Sequence, residues 1–244
     1  MLNYDYKAGS KGTLVFIHGS GGSRRKWRSL MSDLPEGYGG LALDLPGHGE
    51  STGEAQSDVS EYARVVRDSV TAIGPTRPLI WVGHSLGGAI VLMVALIDPN
   101  AVDYLVLVGT GARLRVVPAF LENLRQGIVN PAFKRRAFSP ATDEALINAE
   151  IEMDLTVDPV VVYRDFLACD NFDVMSRLPE IQQPTQVIVG ADDLLTPPKY
   201  SEYLVKNLPN STLAVIPAAG HMVMLEQPAA VKQVITEFLR QHNH

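Results

Sequence analysis

Cysteine is almost missing from this chain: Cys169 is the only one in 244 residues. No disulfide can close within the chain, which excludes a disulfide-stapled secreted scaffold and fits a reducing compartment. No run of about 18 apolar residues occurs, so no membrane-spanning helix is expected. The longest such stretch, AIVLMVALI at 89–97, has the length of a buried core helix. The opening residues, MLNYDYKAGSKG, carry neither a basic n-region nor an apolar h-region, so a secretory signal is not expected and the cytoplasm is the expected location. Excess basic charge is missing too. Lys and Arg number 21 against 27 Asp and Glu, a formal charge of -6, which argues against nucleic acid or an anionic membrane as partner. There is no low-complexity segment, no internal repeat, no H-E-x-x-H and no Cys/His cluster of ligand spacing, so neither a metal nor an organic cofactor is expected.

What the chain does have is apolar residues, 46% of the total. A chain of this size buries roughly 70–75% of its unfolded surface, enough for one substantial core. Six short runs rich in Val, Ile and Leu read as strands: TLVFIHG (13–19), GLALDLPG (40–47), LIWVGHS (79–85), VDYLVLVG (102–109), TQVIVGADD (185–193) and STLAVIPAAGH (211–221). Near-continuous apolar strands imply burial on both faces, and therefore a parallel sheet covered by helices. Helical patterns fill the gaps. Trp27, Leu30, Met31 and Leu34 recur at helical spacing behind a candidate N-cap at Ser23; Tyr62, Val65, Val66, Val70 and Ile73 line a second helix. Val231, Val234, Ile235, Phe238 and Leu239 line a third that opens at Pro228. The alternation predicts an α/β, mostly parallel, doubly wound sheet. Residues 112–183 break the rhythm, with helical patterns only. Val117, Phe120, Leu121, Leu124 and Ile128 form one apolar face there. The expected organisation is a core of 1–111 and 184–244 with an inserted all-helical cap at 112–183.

The string WVGHSLGGA (81–89) sets Ser85 between two glycines, after a buried strand and before an apolar helix. A strand passing directly into a helix through one residue strains that residue, and side chains two positions either side would collide. Gly83 and Gly87 remove that collision. The turn lifts the Ser85 hydroxyl to the carboxyl edge of the sheet, and the Leu86 N–H at the helix N-terminus can meet a developing anion. A base candidate is His221, in the loop after the last strand. His18, His48 and His84 sit in glycine-rich turns and are expected to serve packing and backbone bonding, while His242 and His244 are expected to fray with the terminus. An acid that orients His221 should lie at the end of VIVGADD, where Asp192 and Asp193 both stand. The glycine loop IHGSGGS (17–23) lacks the ending of a P-loop and can present the Ser20 N–H as a second anion donor.

Taken together, FIHGSGGS, LDLPGHGES, GHSLGGA, GADDLLTP and AGHMVMLEQP resemble the α/β-hydrolase superfamily, in that family's order and over nearly the whole chain. The resemblance implies the triad order Ser, acid, His. It favours Asp193 over Asp192, because the acid in relatives stands three residues after the strand-ending glycine. It places a helical cap after the sixth strand, and it treats Asp44, His48 and Ser51 as structural. Only LNYDYK precedes the first apolar strand, so the family's usual first strand is expected to be missing.

The expected function is a serine hydrolase, carboxylesterase-like, acting on a small-molecule ester through an acyl-enzyme. The expected catalytic residues are Ser85, Asp193 and His221, with the Ser20 and Leu86 N–H groups as oxyanion hole. Phe120, Leu124, Phe133, Phe138 and Met222 are the expected apolar pocket. An acyltransferase or thioesterase, or an aminopeptidase-type hydrolase, would use the same triad. The last would need cap carboxylates, among which Glu144, Glu150, Glu152 and Asp154 are present but read more simply as solvated helix faces. KRR (134–136) could draw an anionic acyl carrier, or be wet surface. A non-catalytic ligand receptor is the minority reading.

Overall fold

A computed structural model describes residues 2–242. All six expected strands are found, and a seventh precedes them. They are β1 (Tyr4–Lys7), β2 (Thr13–Ile17), β3 (Gly39–Leu43), β4 (Leu79–His84), β5 (Tyr104–Val108), β6 (Thr185–Gly190) and β7 (Ser211–Ile216). They form one sheet in the order β1-β3-β2-β4-β5-β6-β7. Every pair is parallel except β1 with β3, where Tyr4 faces Leu43 and Lys7 faces Gly40. The expectation of a missing first strand is therefore corrected. YDYK carries no apolar run because all four residues are at the exposed edge of the sheet, so burial left no mark on them.

Parallel pairing without local hairpins requires crossovers, and the helices supply them. They are α1 (Arg28–Ser32), α2 (Val59–Ile73), α3 (Leu86–Ile97), α4 (Pro118–Arg125), α5 (Pro131–Arg135), α6 (Glu144–Asp154), α7 (Pro159–Asn171), α8 (Pro198–Asn207), α9 (Val223–Glu226) and α10 (Pro228–His242). Side chains alternate across the strands into two cores. Val15, Ile17, Trp81, Leu105, Leu107 and Val187 face α2, α3 and α8. Phe16, Ile80, Val82, Val106, Val108 and Ile188 face Trp27, Leu30 and α10. This period of two is hidden in the sequence because both faces are apolar.

Local readings are corrected in four places. Ser23 makes no side-chain capping bond, and the segment behind it is a 3₁₀ turn at Arg24–Trp27 followed by the short α1. Val65 lies at the exposed margin of α2, and Val117 and Ile128 are exposed, so α4 buries Leu124 rather than the whole apolar face expected of it. His242 is not frayed: it closes α10, with Nδ1 bonded to the Phe238 carbonyl at 2.9 Å. His244 lies outside the described residues.

The chain reverses direction across the sheet between β3 and β4, which makes the adjacent carboxyl ends of β2 and β4 a topological switch point. Open α/β sheets form their binding crevices at such points. Residues of α4, α5, α6 and α7 line a crevice together with Ser85, whereas Phe172, Val174, Leu178 and Ile181 belong to the core packed on the sheet.

Candidate active site

Ser85 separates β4 from α3 with φ 53 and ψ -117, a conformation that side chains avoid. Such a residue costs about 1–3 kcal/mol and persists only where its surroundings over-determine it. Here they do. The Ser85 N–H donates to the Val108 carbonyl at 3.0 Å, while its own carbonyl accepts from Gly88 N–H at 2.9 Å and Thr110 Oγ1 at 2.8 Å. The flanking glycines are required by space. A Cβ on Gly83 would stand 2.3 Å from the Gly87 carbonyl oxygen, and one on Gly87 would stand 2.3 Å from that of Ile17. Leu86 is the first residue of α3, so its N–H has no acceptor within the helix.

His221 follows β7 in a loop that folds back over the sheet. Its Nδ1 lies 2.9 Å from Asp193 Oδ2 and 3.1 Å from Thr196 Oγ1. The Thr196 hydroxyl donates to the same Asp193 oxygen at 2.9 Å, so both of its neighbours leave Nδ1 as the donor. That places a proton on Nδ1, so that in the neutral ring the lone pair falls on Nε2. Asp193 is buried, which opposes its charge. The His221 partner, the Thr196 hydroxyl and the N–H of Thr196 outweigh that burial and hold its carboxyl below the usual range. Its Oδ1 accepts from the N–H groups of Leu195 and Thr196, both at 2.9 Å. Asp192 turns the other way, accepting from Ser139 Oγ at 2.6 Å. His84, next to Ser85, donates from Nε2 to the His221 carbonyl at 2.9 Å and links the two loops. Burial, with His221 close by, pushes its pKa well down, so it stays neutral.

The glycine loop after β2 is fastened from beneath by Asp165 of α7. The Gly21 N–H donates to Asp165 Oδ2 at 2.7 Å, His48 Nε2 to the same oxygen at 2.8 Å, and the Tyr62 hydroxyl to Oδ1 at 2.5 Å. Asp165, His48 and Tyr62 are all buried. His48 Nδ1 faces the Pro46 carbonyl at 3.1 Å, so both ring nitrogens meet acceptors, an arrangement that favours the doubly protonated ring. Burial opposes that charge, but Asp165 overcomes it and raises the His48 pKa. His18 is the opposite case. Its Nδ1 donates to the Gly19 carbonyl and its Nε2 accepts from Leu45 N–H, a neutral ring that burial holds at a pKa of about 3. Expecting only packing and backbone bonding of His48 is thus corrected: it forms a buried ion pair.

These elements surround a cavity of about 320 Å³. Ser20, Ser85 and His221 line it, with Asp193 behind the imidazole. Phe120, Leu124, Phe133, Phe138 and Met222 also line it. Phe120 stacks on Phe133 with centroids 4.2 Å apart and meets Phe166 edge-on at 4.9 Å. The Cys169 thiol borders the same space, 3.6 Å from Ser20 Oγ, and burial pushes its pKa up to about 12, which leaves it a poor nucleophile.

The sequence model of the alpha/beta hydrolase family matches residues 14–234. The chain belongs to that family. A 2-hydroxy-6-oxononadienedioate/2-hydroxy-6-oxononatrienedioate hydrolase of Paraburkholderia phymatum is 30% identical over 98% of this chain and 91% of its own. A pimeloyl-[acyl-carrier protein] methyl ester esterase of Neisseria meningitidis is 28% identical over 93% of both chains. Among solved structures, a thermophilic esterase is 35% identical with a TM-score of 0.83, over 99% of this chain and 98% of the other.

Several groups of this α/β-hydrolase were not legible in its sequence. Thr196 had a local signal, since an Asp three residues before a Thr commonly accepts its N–H in a turn. Asp165 had none: it sits 117 residues from His48 and 144 from Gly21. The expectation that the acidic residues of 144–154 are solvated is corrected for Glu150. It is buried against Lys26 at 2.8 Å and Arg28 at 2.6 Å, and those cations hold its carboxyl low against the effect of burial. Lys26 also reaches Asp154 at 2.5 Å.

Proposed function

We propose that this protein is a serine hydrolase that cleaves carboxylic esters of small to medium hydrophobic substrates through an acyl-enzyme. The observation that carries the reading is one cavity lined by both the strained Ser85 and the His221 that is hydrogen-bonded to Asp193. Ser85 Oγ attacks the ester carbonyl while His221 Nε2 takes its proton. Asp193 holds the ring and stabilises the imidazolium without being protonated itself. The Ser20 and Leu86 N–H groups face the developing oxyanion, each contributing about 3–4 kcal/mol to the transition state. His221 then protonates the leaving alcohol, and activates water for deacylation. The helices of 112–183 act as a cap whose aromatic wall receives the acyl or alkyl group. Relatives named as esterases support the reaction type. An aminopeptidase reading is weakened because Glu150 and Asp154 are already engaged by Lys26 and do not await a substrate amine.

The test is hydrolysis of short para-nitrophenyl esters by wild type, Ser85→Ala and His221→Ala, together with labelling by a fluorophosphonate. Wild type is expected to turn over and to be labelled at Ser85, and both variants to lose about 10³-fold or more in kcat. Equal rates in wild type and Ser85→Ala would remove the serine from the mechanism.

A further inference from the structure

The protein is acidic, with a formal charge of -6, yet its cavity is not. Among the described residues, four cations line that space, Lys26, Arg115, Lys134 and Arg136, against the single carboxylate of Asp154. Lys26 is committed to Glu150 and Asp154. The other three are not balanced in this way. Among the described residues Lys134, with its side chain 14% exposed, reaches Asp154 alone, at 3.4 Å, and that carboxylate is already shared with Lys26. Burial pushes the Lys134 pKa down against the pull of Asp154, the mark of an ammonium short of partners. Arg115 and Arg136 are exposed at the rim, and their guanidinium groups have no ion-pair or hydrogen-bond partner among the described residues.

The placement of these charges bears on the substrate. Residues 134–138 run against the His221 loop, where the Ala137 carbonyl accepts from the Met222 N–H at 3.2 Å and a Cβ on Gly220 would stand 2.7 Å from the Phe138 carbonyl carbon. The cations therefore share the cavity with Ser85, across a wall that includes Phe120, Phe133 and Phe138. A low-dielectric wall beside uncompensated charge strengthens the pull on an anion. The charge runs from the exposed arginines to a nearly buried ammonium.

Resting on the ester-hydrolase reading, we infer that the preferred substrates are esters carrying a second, ionised acid group, such as half-esters of aliphatic dicarboxylic acids, with the apolar chain on the aromatic wall and the free carboxylate on Lys134 and the rim arginines. The reading that KRR is merely wet surface does not hold for its first residue.

The experiment compares monomethyl adipate with its uncharged counterpart, dimethyl adipate. In wild type kcat/KM is expected to favour the monoester by about tenfold at low salt, equivalent to about 1.4 kcal/mol. The ratio should fall towards one in about 0.5 M NaCl, where the Debye length shrinks below about 5 Å. It should fall similarly in Lys134→Met and in the surface double variant Arg115→Ala/Arg136→Ala, and return in Lys134→Arg. A wild-type ratio at or below one overturns the inference while leaving ester hydrolysis standing. Were neither ester turned over, the ester reading itself would fail. Calorimetry on Ser85→Ala then decides the charge inference alone, since equal Kd for the two esters overturns it and tighter, salt-sensitive monoester binding supports it.

Discussion

Replacing Asp165 by alanine removes the acceptor for three buried donors at once: the Gly21 N–H, the His48 imidazolium and the Tyr62 hydroxyl. Each orphaned donor costs about 1–3 kcal/mol, and stripping one partner from a buried ion pair costs about 3–5 kcal/mol. These costs overlap because one carboxylate serves all three, and His48 can shed its proton. A net loss of about 4 kcal/mol is expected, which for a domain of this size lowers Tm by about 8–16 °C. Asp165→Asn should lose only about 1–2 kcal/mol, since the amide oxygen can serve Gly21 and His48 while its nitrogen faces the Tyr62 oxygen. The ion pair also fixes the sign of a pH effect. His48 has a raised pKa in the folded protein, so its stabilisation is complete below the unfolded value of about 6.5 and is lost as pH rises through the higher folded value. Wild type should therefore weaken on that alkaline limb, and Asp165→Ala should lack this contribution. Urea unfolding between about pH 6 and pH 9 measures both. An alanine variant within about 1 kcal/mol of wild type, or with an unaltered alkaline limb, would refute the reasoning.

Ser85→Gly should stabilise the fold by about 1 kcal/mol while abolishing activity, since glycine adopts a positive φ without strain; thermal unfolding checks it. Asp193→Asn should keep the fold but lower kcat by about 10⁴, because an amide can present its NH₂ to Nδ1 and favour the wrong tautomer; steady-state kinetics checks it. The depressed Asp193 carboxyl contributes stability above its unfolded pKa of about 3.9 that is lost as pH falls through the lower folded value; acid unfolding of wild type against this variant shows it. Gly87→Ala should cost about 3 kcal/mol or more, since its Cβ meets backbone rather than a movable side chain; the soluble yield and Tm report it.

The sheet was legible in the sequence because β2 to β6 are buried on both faces and therefore spelled largely in apolar residues, and the half-buried edge strand β7 keeps enough of that spelling to be found. β1 escaped because an exposed edge strand needs no such spelling. Ser85 was legible from its glycines, whose absence of a side chain is a steric requirement of the turn. His221 and the Asp192/Asp193 pair were legible by position at strand ends, but adjacent aspartates differ only in the direction each faces, which strings of letters do not record. Asp193 turns to His221 and Asp192 to Ser139. The charged groups of the helical segment were least legible. Glu150 in a helix looks the same whether it meets water or Lys26, and its partner lies 124 residues away.

The parallel topology sets when the site can exist during synthesis. Ser85 leaves the ribosome long before His221, and the bond joining their loops, from His84 to the His221 carbonyl, spans 137 positions. On the proposed mechanism a nascent chain with its elbow complete still holds no base, because His221 follows the last strand of the sheet. On the proposed mechanism the polypeptide is therefore chemically silent until residue 221 has been added after its last strand, and a message truncated before that codon would yield an inert product.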